Sequence, residues 1–383
     1  MNRFLTPICL YCLISSSVSA QSDSQANKSL TLNATYIGDF VRNFSGGIKK
    51  GSSYLGLANF KVSFDTKNAS LWKGGQFFIN AANAHGGNPS ADFTGDFHTV
   101  TNIEADDITI IQELWYRQTI NQIEVILGLQ DLNTDFVSTE YGSLFINSTF
   151  GTPSTLADNL PSPIFPLTTM GVSFKWNISD ENIFKLALFD GLPTELSRNP
   201  HNLNWKLNKD DGVFGVTEFH HNSLLMTKLS GSYRAGAYYH SQLVEYDDES
   251  IETKRFDNNY GVYFIADQKI YQPGSSGGLG MFAQIALSPK AINTHHRYIG
   301  LGLSWQGIFR GREEDNFGIA VSNAAFNGPL KRDETVIELC YKAQLTENLF
   351  IQPDLQYVIN PEGTDVSLRN ATVGFIRFGL NFN

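Results

Sequence analysis

Hydrophobic and polar residues alternate along most of this chain with a period of two. Between Leu349 and Asn360, one row is Ile351, Pro353, Leu355, Tyr357 and Ile359. The opposite row is Phe350, Gln352, Asp354, Gln356 and Val358. The same pattern sets Ala58, Phe60, Val62 and Phe64 against Asn59, Lys61, Ser63 and Asp65. It sets Val172, Phe174 and Trp176 against Ser173, Lys175 and Asn177, and Ile299, Leu301, Leu303 and Trp305 against Tyr298, Gly300, Gly302, Ser304 and Gln306. Successive side chains of a strand point to opposite faces, so each segment reads as a ribbon with one oily and one polar side. No helical period of similar length competes with it.

Sixteen such segments are predicted, starting near Leu30, Tyr54, Gly75, Ile108, Gln122, Gly171, Ile183, Gly212, Lys228, Tyr260, Gly278, Tyr298, Asn316, Thr335, Phe350 and Thr372. Most run to about 8–12 residues, beyond the usual globular strand and suited to a tilted membrane strand. Several even-numbered connections are tight: QTIN (Gln118 to Asn121), ISDEN (Ile178 to Asn182) and TENL (Thr346 to Leu349). Most odd-numbered ones are long: Ile37 to Ser53, Ala84 to Asp107, Asp131 to Met170 and Asp190 to Asp211. Short turns at one rim and long loops at the other are the layout of an outer-membrane barrel. Asp65 to Gly74 and PKAINTHHR (Pro289 to Arg297) depart from that rule.

Backbone amides in hydrocarbon find no water, so a spanning sheet must close on itself. The expected fold is all-β: a transmembrane antiparallel β-barrel of about 16 strands, a size that encloses an aqueous lumen. The polar rows then line a water channel. The third long connection, 131–170, carries Pro153, Pro161, Pro163 and Pro166, which discourage a strand. Its Phe145, Ile146, Phe150 and Phe165 argue for packing rather than disorder. It is expected to fold inward and constrict the pore; the alternative is a loop packed outward on the rim.

Composition agrees. Aromatics make up 13% of the chain and charged residues 17%, with a formal net charge of −10 and no cluster of Lys and Arg. Nucleic-acid binding needs such a cluster and is excluded as a function. Residues 1–20 read as an export signal, with Arg3, an apolar Phe4 to Leu13 and the Val18-Ser19-Ala20 cleavage pattern. Cleavage there would remove Cys9 and Cys12 and leave Cys340 alone, without an intrachain disulfide. Residues 21–29 form a short leading segment and 30–383 a single barrel.

The stretches YIGDFVRNFSGG, NAHGGNPS, TNIEA, ELWYRQ, GLQDLNTDF, FINSTFG and GREED (Gly311 to Asp315) occur in this order. IELCYKAQLTENLFIQPDLQYVINPEG and a closing VGFIRFGLNF follow. Together, from about Tyr36 to Phe382, they resemble the carbohydrate-selective porins of the OprB type. The resemblance implies passive or facilitated diffusion of sugars through a sixteen-stranded barrel in a bacterial outer membrane, with lipid and lipopolysaccharide around it. Such chains usually end in an aromatic residue read by the barrel-assembly machinery; here Phe382 is penultimate and Asn383 last. A monomer and a trimer both fit, because lipid-facing and subunit-facing apolar rows look alike.

Sugars have apolar faces and many hydroxyls, so a selective lining pairs aromatic platforms with hydrogen-bonding groups. Glu113, Trp115 and Arg117 share one parity, with Trp115 a stacking platform or a member of the membrane-edge aromatic girdle. Asp131 and Asp135 could bind hydroxyls or cap turns. Glu338, Gln352, Asp354 and Gln356 fall on the lumen side of adjacent strands, where they could pair with Arg234 or Arg377 or act as a structural strut. Other groups carry less. His85-Gly86-Gly87 reads as a turn, and His220-His221 and His295-His296 as surface loops without metal-ligand spacing. Asp210-Asp211 and Asp247-Asp248-Glu249 are acidic runs of outer loops, solvated or sharing divalent ions with lipopolysaccharide. No cofactor motif, metal-ligand set or catalytic set is evident. The competing readings are a general small-solute porin, a barrel hydrolase needing a rim Ser-His-acid set, and a secreted lectin-like β protein. Pro353 removes a ladder donor from a central strand, and a local bulge is the expected remedy.

Overall fold

The computed structural model describes residues 28–382 apart from 208–210, 226–228, 242–243, 248–252, 257, 275–276, 329–331 and 365. The expected export signal at 1–20 with Cys9 and Cys12, and Asp210, Asp248, Glu249 and Asn383, lie outside the described residues.

Sixteen strands close one antiparallel barrel. They are β1 (Leu30–Gly47), β2 (Gly51–Asp65), β3 (Gly75–Gly86), β4 (Ile108–Ile120), β5 (Ile123–Gln130), β6 (Thr169–Asn177), β7 (Asn182–Asp190), β8 (Val213–Leu225) and β9 (Leu229–His240). A small hairpin, β10 (Val244–Asp247) and β11 (Thr253–Phe256), stands apart from the barrel sheet. The ring resumes with β12 (Asn259–Tyr271), β13 (Gly278–Leu287), β14 (His295–Gln306), β15 (Asn316–Phe326), β16 (Glu334–Thr346), β17 (Leu349–Ile359) and β18 (Arg369–Phe382). β1 pairs with β18 from Ala34↔Phe382 to Gly47↔Arg369, which seals the ring and removes its edges.

The alternation sorts as a membrane requires. Leu127, Leu188, Leu355 and Ile376 point outward, between 46% and 59% exposed, while Glu338, Gln356 and Gln284 point inward and are wholly buried. A soluble protein does the reverse. At the short-turn rim Trp72, Phe77 and Tyr116 form an outer aromatic patch: the Trp72 indole donates to the Tyr116 hydroxyl (3.0 Å), and the Phe77 and Tyr116 rings lie 4.8 Å apart.

Every barrel strand begins within three residues of its expected start. The first long connection, Ile37 to Ser53, is corrected. β1 and β2 stay paired as far as Asn43↔Gly51, leaving only residues 48–50 between them. These two strands, of 18 and 15 residues, exceed what hydrocarbon requires, so the hairpin projects beyond it. Pro353 needs no bulge. Its pairing with Ile376 on β18 is unbroken, while the ladder to β16 skips from Cys340↔Asp354 to Ala343↔Ile351 without changing register. The missing donor costs a local gap, not a shift. His220 and His221 lie within β8 and His295 and His296 open β14, rather than sitting in loops. His85 and Gly86 likewise belong to the end of β3.

Among the described residues, the second and third long connections run inside the ring, and Leu196 of the fourth packs against the interior cluster they share. The third, between β5 and β6, starts at one wall and reaches the far one, where Glu338 of β16 accepts the amides of Ile146 (2.6 Å) and Asn147 (3.0 Å). Phe145 and Phe150 pack there on Phe282 and Cys340. The second, 87–107, also enters, which the alternation did not foretell. Glu334 accepts the amides of Phe97 (2.8 Å) and His98 (3.0 Å), and the loops join through Asn102 N to Ile146 O (2.9 Å) and Ser148 N to Thr99 O (3.1 Å).

Candidate solute pathway

The wall formed by β3 to β6 keeps polar and aromatic groups facing the lumen. Between β3 and β4 the register slips, with Asn80 opposite Glu113 but Ala81 opposite Ile111. The extra residue, Gln112, makes a bulge that buries both Gln112 and Glu113. Gln112 donates to Asp131 (2.8 Å). Past the bulge Trp115 and Arg117 face inward. Trp115 stacks on Phe78, centroids 4.7 Å apart, and its indole N–H donates to Glu113 (3.2 Å). The Arg117 guanidinium lies 5.6 Å from the Trp115 ring, bonds Gln76 and pairs with Glu124 at 3.5 Å. Lys175 meets Glu124 at 2.9 Å. The Arg117 and Lys175 side chains remain about one-third exposed (35% and 34%), so their ends reach the lumen. Trp115 therefore lies on the inner face; the girdle is built from Tyr116 and its neighbours.

The other expected residues hold the loops. Glu338 takes two loop backbone amides, Gln352 donates to Leu144 O (2.9 Å), and Gln356 donates to Val100 O (2.9 Å) while accepting from the Asn147 side-chain Nδ2 (3.0 Å). Asp354 accepts from Gln356 (3.4 Å) and lies with Glu338 and Cys340 in a buried group whose polar atoms are all within 4.8 Å of one another. The arginines pair elsewhere than with these four. Arg377 makes a two-point ion pair with Asp39 (2.7 and 2.8 Å) and donates to Thr101 and Asn102 of the second loop (2.9 Å each). Arg234 pairs with Asp267 (2.7 Å), which also accepts from Thr139 and the Tyr141 amide. Asp131 caps the short helix 132–135 by accepting from Asn133 N (2.9 Å), the turn-capping alternative. The Asp135 carbonyl oxygen accepts from Lys185, and Asp135 shares a recess with Glu124 and Lys175.

Between the two infolded loops lies a cavity of about 430 Å³, within the range that small-molecule sites occupy. No sequence signal pointed to it, because its residues belong to two loops without period. Asn102 and Asn133 are exposed in it, and each has its amide oxygen fixed: Asn102 by Arg377 (2.9 Å), Asn133 by the Thr152 hydroxyl (2.7 Å). That arrangement presents their N–H groups as donors. Glu104 and Asp158 supply acceptors and Phe165 an apolar face. His98 also lines the cavity; its Nδ1 lies 2.9 Å from Glu334, and its Nε2 has no hydrogen-bond partner among the described residues. Burial, opposed by hydrogen bonds from Ser90, pushes the Glu104 carboxyl up to about 7. Asp158 reaches into the cavity yet is ringed by protein. That enclosure, with the charge of Glu334, pushes its carboxyl up to about 7, and water in the cavity works the other way.

A sealed sixteen-stranded cylinder with an oily exterior and a polar, loop-narrowed interior is an outer-membrane diffusion channel. Residues 49–382 match the model of the carbohydrate-selective porin, OprB family. The chain belongs to the OprB family of carbohydrate-selective porins. Among individual relatives it is similar to Porin B of Pseudomonas aeruginosa, 22% identical over 91% of this chain and 86% of that one. It is also similar to a putative porin, QuiX, of Acinetobacter baylyi, 21% identical over 57% of this chain and 56% of that one. In fold it resembles the high-pH structure of Pseudomonas putida OprB, with a TM-score of 0.85 at 22% identity, covering 93% of this chain and 95% of that one.

Proposed function

We propose that this porin lets carbohydrates diffuse passively across the outer membrane, entering at the long-loop rim through the cavity between the two infolded loops and passing the Trp115 wall. The observation that carries the reading is the cavity lining: oriented amide donors, carboxylate acceptors and a phenyl face suit a polyhydroxylated solute better than a bare ladder of charge. The loop 131–168 acts as the constriction. Residues with an open lumen face, Trp115 and Arg117, and the cavity residues Asn102 and Asn133 are the sugar contacts. Glu338, Gln352, Asp354, Gln356 and Arg377 keep the loops in place. Phe382, outward and exposed on β18, offers the assembly machinery an aromatic signal. A monomer and a trimer accommodate the same path, since each barrel carries its own cavity; sedimentation in detergent distinguishes them. Swelling of liposomes containing the reconstituted chain tests the function. Mono- and disaccharides should enter faster than amino acids of similar size, and equal rates for all solutes of one size would leave only a general pore.

A further inference from the structure

The cavity between the loops has a charge character that a neutral sugar does not require. Among the described residues its ionisable lining is Glu104, Asp158 and His98, with no Lys or Arg. The cations packed nearby are already matched. Arg377, behind Asn102, is paired with Asp39, and Arg332 with Glu362 at 3.2 Å. His98 faces Glu334, and Asp96 lies close enough to both Glu334 and Glu104 to feel their charge. The balance inside is negative, and low-dielectric walls concentrate that field on whatever enters. The oriented amides of Asn102 and Asn133, exposed in the same cavity with their oxygens held by Arg377 and Thr152, show independently that it is built for a polar guest.

Resting on the sugar-pore reading, we infer that this cavity is a charge filter within the sugar class: it admits neutral sugars and protonated amino sugars and rejects sugar acids. A carboxylate solute must pass Asp158 and Glu104 without a cation to pair with, whereas an ammonium gains what the carboxylate loses. Like charges a few ångströms apart in a partly dehydrated site repel strongly enough to cost about tenfold or more in occupancy. Size does not discriminate among glucose, glucosamine and gluconate, so their relative rates report charge.

The test reconstitutes the full mature chain in liposomes and follows glucose, glucosamine and gluconate, with an amino acid of similar size as reference. At pH 7.5 the expected order is glucosamine at or above glucose, with gluconate about tenfold below. Asp158→Asn should narrow the gap between gluconate and glucose. Asp158→Lys should narrow it further and slow glucosamine relative to glucose. Asp158 is exposed and its carboxylate makes no hydrogen bond among the described residues, so these variants should fold; heat-modifiable migration on gels checks it. The unmodified chain gives a second route. Glu104, held up to about 7 by burial, loses its charge as the pH falls from 8 to 5, while gluconate keeps an ordinary carboxylate throughout. The gluconate-to-glucose ratio should therefore rise severalfold from pH 8 to pH 5. Gluconate equal to glucose at pH 7.5, or a ratio unmoved both by Asp158→Lys and by pH, overturns the inference. Glucose no faster than the amino acid instead defeats the sugar reading, a separate outcome read from a separate ratio.

Discussion

Trp115 has its edge held by Glu113, one face covered by Phe78 and a guanidinium nearby. A ring so fixed loses little freedom when a sugar stacks on it. Trp115→Ala should weaken sugar block of ion current about 2- to 10-fold, the equivalent of an aromatic contact of about 0.5–1.5 kcal/mol. Conductance itself should change less; unchanged block would remove Trp115 from the path. Glu338 tests the anchoring role. Its two oxygens take two amides at the tip of the third loop. Glu338→Gln leaves one oxygen for both and costs about 1.5–3 kcal/mol, a charged hydrogen bond. Cys340 is buried behind that tip, so a thiol reagent should label it about 10- to 100-fold faster in the variant. Equal labelling would mean that Glu338 does not hold the loop. Alternation left Trp115 open between the lumen and the aromatic girdle, whereas the inward parity of Glu338 and Gln356 was legible from it alone. Whether an inward residue meets water or a loop was not, since that depends on partners more than a hundred residues away.

At the scale of elements, a two-residue period reveals strands well and loops poorly. β1 to β9 and β12 to β18 were legible because each has an oily and a wet face. The inward course of 87–107, the short link after β1 and the β10–β11 hairpin have no such signature. The second loop carries its own pH dependence. Burial raises the carboxyls of Asp96 and Glu104, the latter to about 7, and the charge of Glu334 adds to the shift of Asp96. A carboxyl whose pKa is higher in the packed loop than in the free chain binds its proton more tightly when packed. Its stabilising effect is complete below about pH 4 and is lost as pH rises through about 7. The loop should thus sit more firmly at pH 5 than at pH 8. Amide exchange in 87–107, corrected for intrinsic rate, should show greater protection at the lower pH. The reverse order would mean that charged forms of these groups are the ones the fold favours.

For the molecule as a whole, stability depends on the solvent around it. Residues such as Phe219, Phe264, Leu301 and Leu355 lie exposed on the outer face, which is tolerable in hydrocarbon and not in water. The purified chain should stay monodisperse in detergent and aggregate when detergent is removed. A stable monomer in plain buffer would contradict the membrane-spanning reading. Barrel class was the most legible property of all, since it follows from the sum of many weakly informative strands.

The seam between β1 and β18 joins the first described strand to the last. Until residue 382 has been made, no ring can form, and a growing polypeptide carries two unsatisfied margins with nothing to zip onto. A molecule wired this way cannot acquire its shape piecemeal during synthesis. It must be kept from premature pairing, delivered whole, and shut in a single late act, so loss of the final strand should abolish the product entirely instead of yielding a slightly smaller pore.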